Sequence, residues 1–287
     1  MGDDPETVGD LIRAYLAEQC TVIGENESAL RQREPVVHPT RVAARRLRST
    51  LRTYAAAVDP ARAGELTDEL VWFAGLLGQV RDRDILSARL TADLAELPSE
   101  LLLGPVAAQL ETELTTQLHV AWDGVLSALD SDRYRRLLAE LHRWRDDAPL
   151  TAVAMAPATK VKKYVKRANK KLDKRLGRAI EAHRAGDADA DHLLHQARKA
   201  GKRARYATEL AAPLLGQQAD QVIEQRKDLQ DVLGEHQDSI VAGEFLRAEG
   251  GRIGIRSGHN GFTYGLLYGR ELSRQATIGE QLKPFSS

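Results

Sequence analysis

Apolar residues recur three and four positions apart along almost the whole of this 287-residue chain, the spacing that gives a helix one continuous oily stripe. Runs that alternate apolar and polar residues, as a strand would, are nearly absent. Prolines and short acidic or glycine clusters interrupt the pattern at Pro35 and Pro39, Asp59-Pro60, Pro98, Gly104-Pro105, Pro149 to Pro157, Gly186 to Asp191, Pro213 and Gly250 to Gly261. The spacing predicts helices over 7–33, 39–57, 60–78, 81–96, 105–129, 132–145, 158–184, 190–212, 218–234, 236–248 and 262–276. The fold class is therefore all-α. Trp72, Phe73, Trp122 and Trp144 fall on apolar stripes and are expected in the core, with Tyr264 and Tyr268 packing the last helix. Gly78 and Gly234 are expected where a helix ends or two helices approach closely.

The pattern also repeats. Aligning His38 with His195 places Arg41 on Arg198, Arg45 on Lys202, Arg46 on Arg203 and Arg48 on Arg205 without a gap. After a one-residue difference in spacing, LGQVRD (Leu77 to Asp82) falls on LGEHQD (Leu233 to Asp238). The chain reads as two copies of a helical unit, each able to supply a bundle of about four helices. We take 1–287 as a single domain with subdomains at 5–150 and 157–280, joined through the TAVAMAPAT segment at 151–159.

Charge sharpens this picture. The chain is formally neutral, with 41 basic and 41 acidic side chains. Residues 1–150 nevertheless carry 17 basic against 25 acidic groups, and residues 151–287 carry 24 against 16. Partners must then be chosen by local patches rather than by net charge. No apolar run approaches the roughly 20 residues of a membrane span. The acidic start MGDDPETVGD lacks the features of a signal peptide, which leads to an expectation of a cytoplasmic protein. The single cysteine, Cys20, excludes an internal disulfide and a thiolate zinc cluster, and is expected to be buried.

The repeated segments concentrate the positive charge. On a helix advancing 100° per residue, His38, Arg41, Arg45, Arg48 and Arg52 fall within an arc of roughly 80°, away from the face carrying Ala43, Leu47, Leu51, Tyr54 and Val58. In the second copy His195, Arg198, Lys202 and Arg205 occupy the same arc, with Glu209 in the place of Arg52. A further segment, Lys160 to Arg178, holds ten basic residues and one acid, and Lys163, Arg167, Lys170, Lys174 and Arg178 line one face of it. Like charges one turn apart repel by roughly 0.2 to 0.5 kcal/mol per pair, so an anion should offset them. One charged stripe is ordinarily a solvated surface, and Asp82, Asp84, Asp231 or Asp238 could pair with these arginines across a bundle. A stripe repeated at matched positions inside a neutral chain favours polyanion binding. Arginine suits that task because its planar guanidinium grips phosphate oxygens bidentately. His38, next to Pro39 at a helix start, would lose its proton readily without an anion and hold it beside one. His195 is expected about a turn inside its helix.

These blocks resemble the CHAD domain, a conserved-histidine α-helical domain. The resemblance rests on HPTRVAARRLRSTLRTY and WFAGLLGQVRDRDIL in the first half, HQARKAGKRARYATEL and LQDVLGEHQD in the second, and GFTYGLLYGRE near the C-terminus. It implies two four-helix subdomains related by a pseudo-twofold axis, with basic faces meeting at a central groove or pore, and it implies inorganic polyphosphate as the ligand. Carried over by match to the motif are His38, Arg41, Arg45, Arg46, Arg48, His195, Arg198, Lys199, Lys202, Arg203 and Arg205. Periodicity adds Arg52, Lys163, Arg167, Lys170 and Lys174. Some members carry a triphosphate-hydrolysing tunnel domain whose glutamate-alternating signature does not occur here, so the expectation is a stand-alone, non-catalytic module without cofactor or metal, associated with polyphosphate granules. Two other readings use the same residues. Nucleic acid would suit the basic faces, though only Tyr54, Tyr164 and Tyr206 could stack on bases. A metal-dependent phosphohydrolase would use Asp82 and Asp84 of RDRD with His38 or His236.

Overall fold

The structure, a computed structural model, describes residues 5–255 and 260–285. The first residues of the acidic start and the centre of the predicted break at 250–261 lie outside that range. The helices are α1 (Val8–Glu25), α2 (Glu27–Arg31), α3 (Val37–Thr53), α4 (Pro60–Ala95), α5 (Val106–Leu129), α6 (Asp132–Asp146), α7 (Val161–Arg184), α8 (Ala190–Leu215), α9 (Gln217–Gly254), α10 (Phe262–Ala276) and α11 (Ile278–Gln281). Among the described residues there is no strand, only the isolated bridges Thr7 to Pro157 and Val58 to Leu150. No helix among them is long and apolar enough to cross a membrane.

Local chemistry explains the helix starts. Thr7 and Asp10 form a reciprocal capping box on α1, Asp59 caps α4 with Pro60 in its first turn, and Ser131 caps α6. The interiors depart from the spacing in one respect. The segments 60–78 and 81–96 are one 36-residue helix, and 218–234 and 236–248 lie within one of 38 residues. Glycine alone costs a helix only about 1 kcal/mol relative to alanine. Around Gly78 the buried run Phe73, Ala74, Leu77 and Val80 continues to Leu86 and Leu90, and around Gly234 Leu229 and Leu233 lead on to Ala242 and Leu246. Packing on both sides carries each helix through. The 7–33 segment instead breaks at Asn26, between α1 and α2.

Three apolar clusters hold the chain together. The first joins α1, α3, the first part of α4, the end of α5 and α6, and receives Leu210 and Ala211 from α8. The second joins α7, α8, α9 and α11. The third belongs to both halves: Leu86 and Leu90 of α4 and Leu110 and Leu114 of α5 meet Leu246 of α9 and Tyr264 and Leu267 of α10. At ~1.5 Å per residue the two long helices span more than 50 Å each, which lets α4 reach from the first cluster and α9 from the second into this shared one. Phe73, Trp122 and Trp144 are buried as expected, and so is Cys20. Trp72 is only partly buried, and the Arg133 guanidinium lies 4.2 Å from its ring centre. The 151–159 connection is not a free linker: Ala154 and Ala158 are buried, Val8 N–H donates to Ala156 O, and Ala158 N–H donates to Glu6 O.

Candidate functional site

Helices α3 and α8, the two carriers of the repeated basic motif, pack against each other, α4 packs on α3 and α9 on α8. Ala43, Ala44, Leu47 and Leu51 of α3 and Ala197, Ala200, Ala204 and Ala207 of α8 turn inward. Small residues on α8 let the backbones come close, and the arginine stripes are thereby brought to one place. Arg41 and Arg45 of α3 and Arg198, Lys202 and Arg205 of α8 lie within reach of one another's charge. Burial, followed by Arg198, Arg45, Arg41 and Arg205, pushes the Lys202 ammonium down to about 6. Burial and neighbouring arginines also lower Arg45, against an opposing effect of Tyr206. The Nε atoms of Arg45, Arg198 and Arg205 are buried without a hydrogen-bond partner. A cationic cluster of this kind is short of negative charge and of acceptors.

The few acids nearby are accounted for. Arg41 Nη1 donates to Asp82 Oδ1 at 2.8 Å, the cross-bundle pairing that the RDRD segment offered. Asp238, at the matching position on α9, faces Arg198, but burial raises its carboxyl pKa above the ordinary range. Glu209 lies one turn beyond Arg205 on the same face of α8. It accepts from Arg46 Nε at 2.9 Å and from Tyr15 Oη at 2.9 Å, and stands 3.4 Å from Arg205 Nε. Arg46 is therefore tied into the interface of α1, α3 and α8, unlike the other arginines of its motif. The acid that replaces a basic residue in the second stripe neutralises a residue of the first.

The two repeated glycines take a role that spacing did not disclose. A Cβ added at Gly78 would stand 3.0 Å from Arg41 Nη2, and one at Gly234 would stand 3.7 Å from Arg198 Nη2. Each glycine leaves a seat on a long helix for the first arginine of a basic motif. Gly78→Ala is expected to shift the flexible Arg41 head off Asp82 and weaken anion binding severalfold, with Tm unchanged. Gly234→Ala, making an ordinary contact, is expected to be neutral. Parallel titration and thermal melts of the two variants check this, and equal affinities would contradict the seating.

The histidines flank the cluster. His38, exposed in the first turn of α3, is held below the ordinary histidine pKa by partial desolvation and then by Arg81, Arg45, Arg41 and Lys202. His195, within α8, is lowered by burial and by Lys199, Arg198 and Lys202, although Gln237 Oε1 at 2.6 Å from its Nδ1 favours the proton. Arg81 and Gln237 hold the same place in LGQVRD and LGEHQD, and neither was selected from the sequence. Alignment of the repeat marks both. His236 is buried and bonds Asp191 at 2.9 Å through Nε2, so it does not join Asp82 and Asp84. Among the described residues no three histidine, cysteine or acidic side chains gather as metal ligands.

Helix α7 divides its charge. Lys163, Arg167, Lys170 and Lys174 are exposed; Lys171, also exposed, and the partly buried Arg175 flank the buried stripe Ala168, Leu172 and Leu176. It is Lys171 and Arg175 whose charge reaches Arg52 of α3 and Arg203 of α8. Of the remaining motif cations, Arg48 is half-buried beside Arg52, and Lys199 is exposed next to His195.

Residues 14–247 match the CHAD domain. The chain belongs to the CHAD domain family. It is 30% identical over 290 residues to two Mycobacterium tuberculosis proteins, Rv2226 of strain H37Rv and MT2285 of strain CDC 1551, over 97% of this chain and 53% of each of them. The chain thus spans about half the length of these curated relatives. PptA from Streptomyces chartreusis has the same fold, with a TM-score of 0.80 at 21% identity, over 98% of this chain and 99% of that one. The CHAD domain from the plant Ricinus communis superimposes with a TM-score of 0.72 at 26% identity, over 98% and 92% of the two chains. The CHAD domain is known for polyphosphate-related roles, which fits a site made of clustered cations.

Proposed function

We propose that this CHAD domain binds inorganic polyphosphate without hydrolysing it, in a basic groove between two pseudo-twofold-related halves, centred on Arg41, Arg45, Arg198, Lys202 and Arg205. The observation that carries this reading is the convergence of these five basic side chains, with the Nε atoms of Arg45 and Arg198 buried and without a hydrogen-bond partner. A phosphate chain supplies both missing items, dense negative charge and oxygen acceptors at short intervals. His38 and His195 at the rim gain a proton and a donor as the anion arrives. Non-catalytic binding is the simpler reading because Asp82 is tied to Arg41 and His236 to Asp191. Nucleic acid fits less well: Tyr54 and Tyr206 are buried, Tyr54 packing on Tyr164 with ring centres 4.8 Å apart, so base stacking has no platform there. A protein that grips polyphosphate in this way would collect at polyphosphate granules.

The reading is tested by calorimetric titration with long-chain polyphosphate in buffers of different ionisation enthalpy. At pH 7.5 the free protein carries Lys202 largely neutral, because its pKa lies near 6. Bound phosphate raises that pKa toward the ordinary lysine range, so binding takes up as much as one proton at Lys202 and affinity falls as pH rises above about 6. Lys202→Met is expected to remove the Lys202 share of that uptake, leaving what His38 and His195 take up, and to weaken binding about tenfold or more. It should also raise the Tm of the free protein by roughly 2 to 4 °C, because folding no longer has to strip the Lys202 ammonium of its proton. Affinity should decline steeply with added salt. Absence of binding at low salt would overturn the proposal.

A further inference from the structure

We propose that Arg48 and Arg52 of α3, Lys171 and Arg175 of α7 and Arg203 of α8 form a second anion station. On this view a long polyphosphate leaves the central cluster along α3 and is gripped again, so that the protein reads chain length. The inference rests on the central cluster being the polyphosphate site.

Packing of α7 on α8 and of α8 on α3 sets these five side chains from three helices within range of their neighbours' charge. Arg48 and Arg52 continue the stripe of Arg41 and Arg45 toward the C-terminal end of α3, and Arg45 and Arg52 lie roughly 10 Å apart along the axis. On α8, Arg203 is turned by about 100° from Lys202 and so leaves the central cluster for the α7 side. There it comes within electrostatic reach of Arg52 and Arg175. Arg175 is anchored toward α8 by donating to Gln196 O at 3.5 Å, and Lys171, one turn earlier, adjoins Arg175, Arg203 and Arg52.

Nothing acidic offsets this gathering. The one acid of the Lys160–Arg178 segment, Asp173, lies 3.8 Å from Arg226 of α9. Glu209, which neutralises Arg46 in the first copy of the motif, does not reach Arg203 in the second: its partners are Arg46, Arg205 and Tyr15. Among the described residues none of the five has an ion-pair partner, and Arg48 Nε is buried with no hydrogen bond. Mutual repulsion and burial lower the pKa of Arg48, Arg203 and Lys171 alike. The two stations share α3 as a common rail, so a flexible linear polyanion can occupy both while a short one occupies one. Occupying both converts the second contact into an intramolecular one and raises affinity without any change at the centre.

The test compares tripolyphosphate with a polyphosphate of about one hundred units, titrated into the wild-type chain and into Lys171→Glu/Arg175→Glu. The wild type is expected to bind the long chain more tightly than the short one. The double variant should lose tenfold or more of its long-chain affinity and keep tripolyphosphate binding within twofold. Lys171→Gln/Arg175→Gln, with a thermal melt matching wild type, should show a smaller loss in the same direction and controls for folding. Equal losses for both ligands, or none for the long chain, would overturn the second station while leaving the central site standing. An oligothymidylate of matched phosphate number that binds as tightly as polyphosphate, and suffers the same loss, would also overturn it in favour of a nucleic-acid track. Failure of the wild type to bind either phosphate would remove the central reading and this one with it.

Discussion

Replacing Arg45 and Lys202 together with glutamate is expected to abolish polyphosphate binding while leaving the helical circular dichroism intact. Both side chains lie at the centre of the cluster, where burial and then the surrounding arginines lower their pKa. A hydrogen bond to a charged partner contributes about 1.5 to 3 kcal/mol, so loss of two such contacts alone amounts to roughly 3 to 6 kcal/mol, or two to four decades of affinity. Repulsion between the introduced carboxylates and phosphate adds to this. The fold should tolerate the change because the cluster is a site of like-charge strain: new carboxylates beside Arg41, Arg198 and Arg205 relieve repulsion instead of creating it. Calorimetry with long-chain polyphosphate reads the first effect and far-ultraviolet dichroism the second. Retained affinity in a folded variant would refute the central site.

Glu271→Ala is expected to give the largest loss of stability. Glu271 is fully buried in α10 and accepts from Arg89 Nε at 2.8 Å, from Arg89 Nη2 at 2.7 Å and from Arg274 Nη1 at 2.7 Å. Arg89 also holds Glu235 of α9 through two bonds of 2.9 and 2.7 Å, and Arg274 pairs with buried Asp93 of α4 at 2.7 Å. One carboxylate thus coordinates arginines from α4 and α10 next to the shared apolar cluster. Removing this carboxylate leaves Arg89 on Glu235 and Arg274 on Asp93 but strips the buried side of both guanidinium groups, a loss of about 3 to 5 kcal/mol that lowers Tm on the order of 10 °C. A denaturation midpoint within about 2 °C of wild type would show that Glu235 and Asp93 suffice to hold the two arginines. The matching Arg89→Met change keeps the volume and should be milder when combined with Glu271→Leu than Glu271→Ala alone, since apolar replacement of a whole pair removes the desolvation penalty.

The separation between what spacing reveals and what it hides follows the range of the interactions. Helix existence depends on residues three and four apart, so every long helical segment could be placed from the sequence. Helix continuity at Gly78 and Gly234 could not, because a glycine's small local cost was outweighed by contacts with other helices. The charged face chosen on α7 shows the same limit. Lys163, Arg167, Lys170 and Lys174 share a face by periodicity, but only the position of α8 and α3 reveals that Lys171 and Arg175 border the other cations. Arg46 is the reverse case. It belongs to the motif by spacing, yet a glutamate 163 residues away along the chain engages it.

The sequence by itself determined that this protein is helical, that two matched basic motifs recur at His38 and His195, and that a neutral chain spends its arginines in concentrated stripes. Local periodicity and repetition suffice for each of those. The tertiary structure alone decided which cations face one another, which are neutralised, and that a lysine between four arginines has its pKa pushed to about 6. Electrostatic energy depends on distances between side chains on different helices and on their burial, and neither quantity is a property of neighbours along the chain.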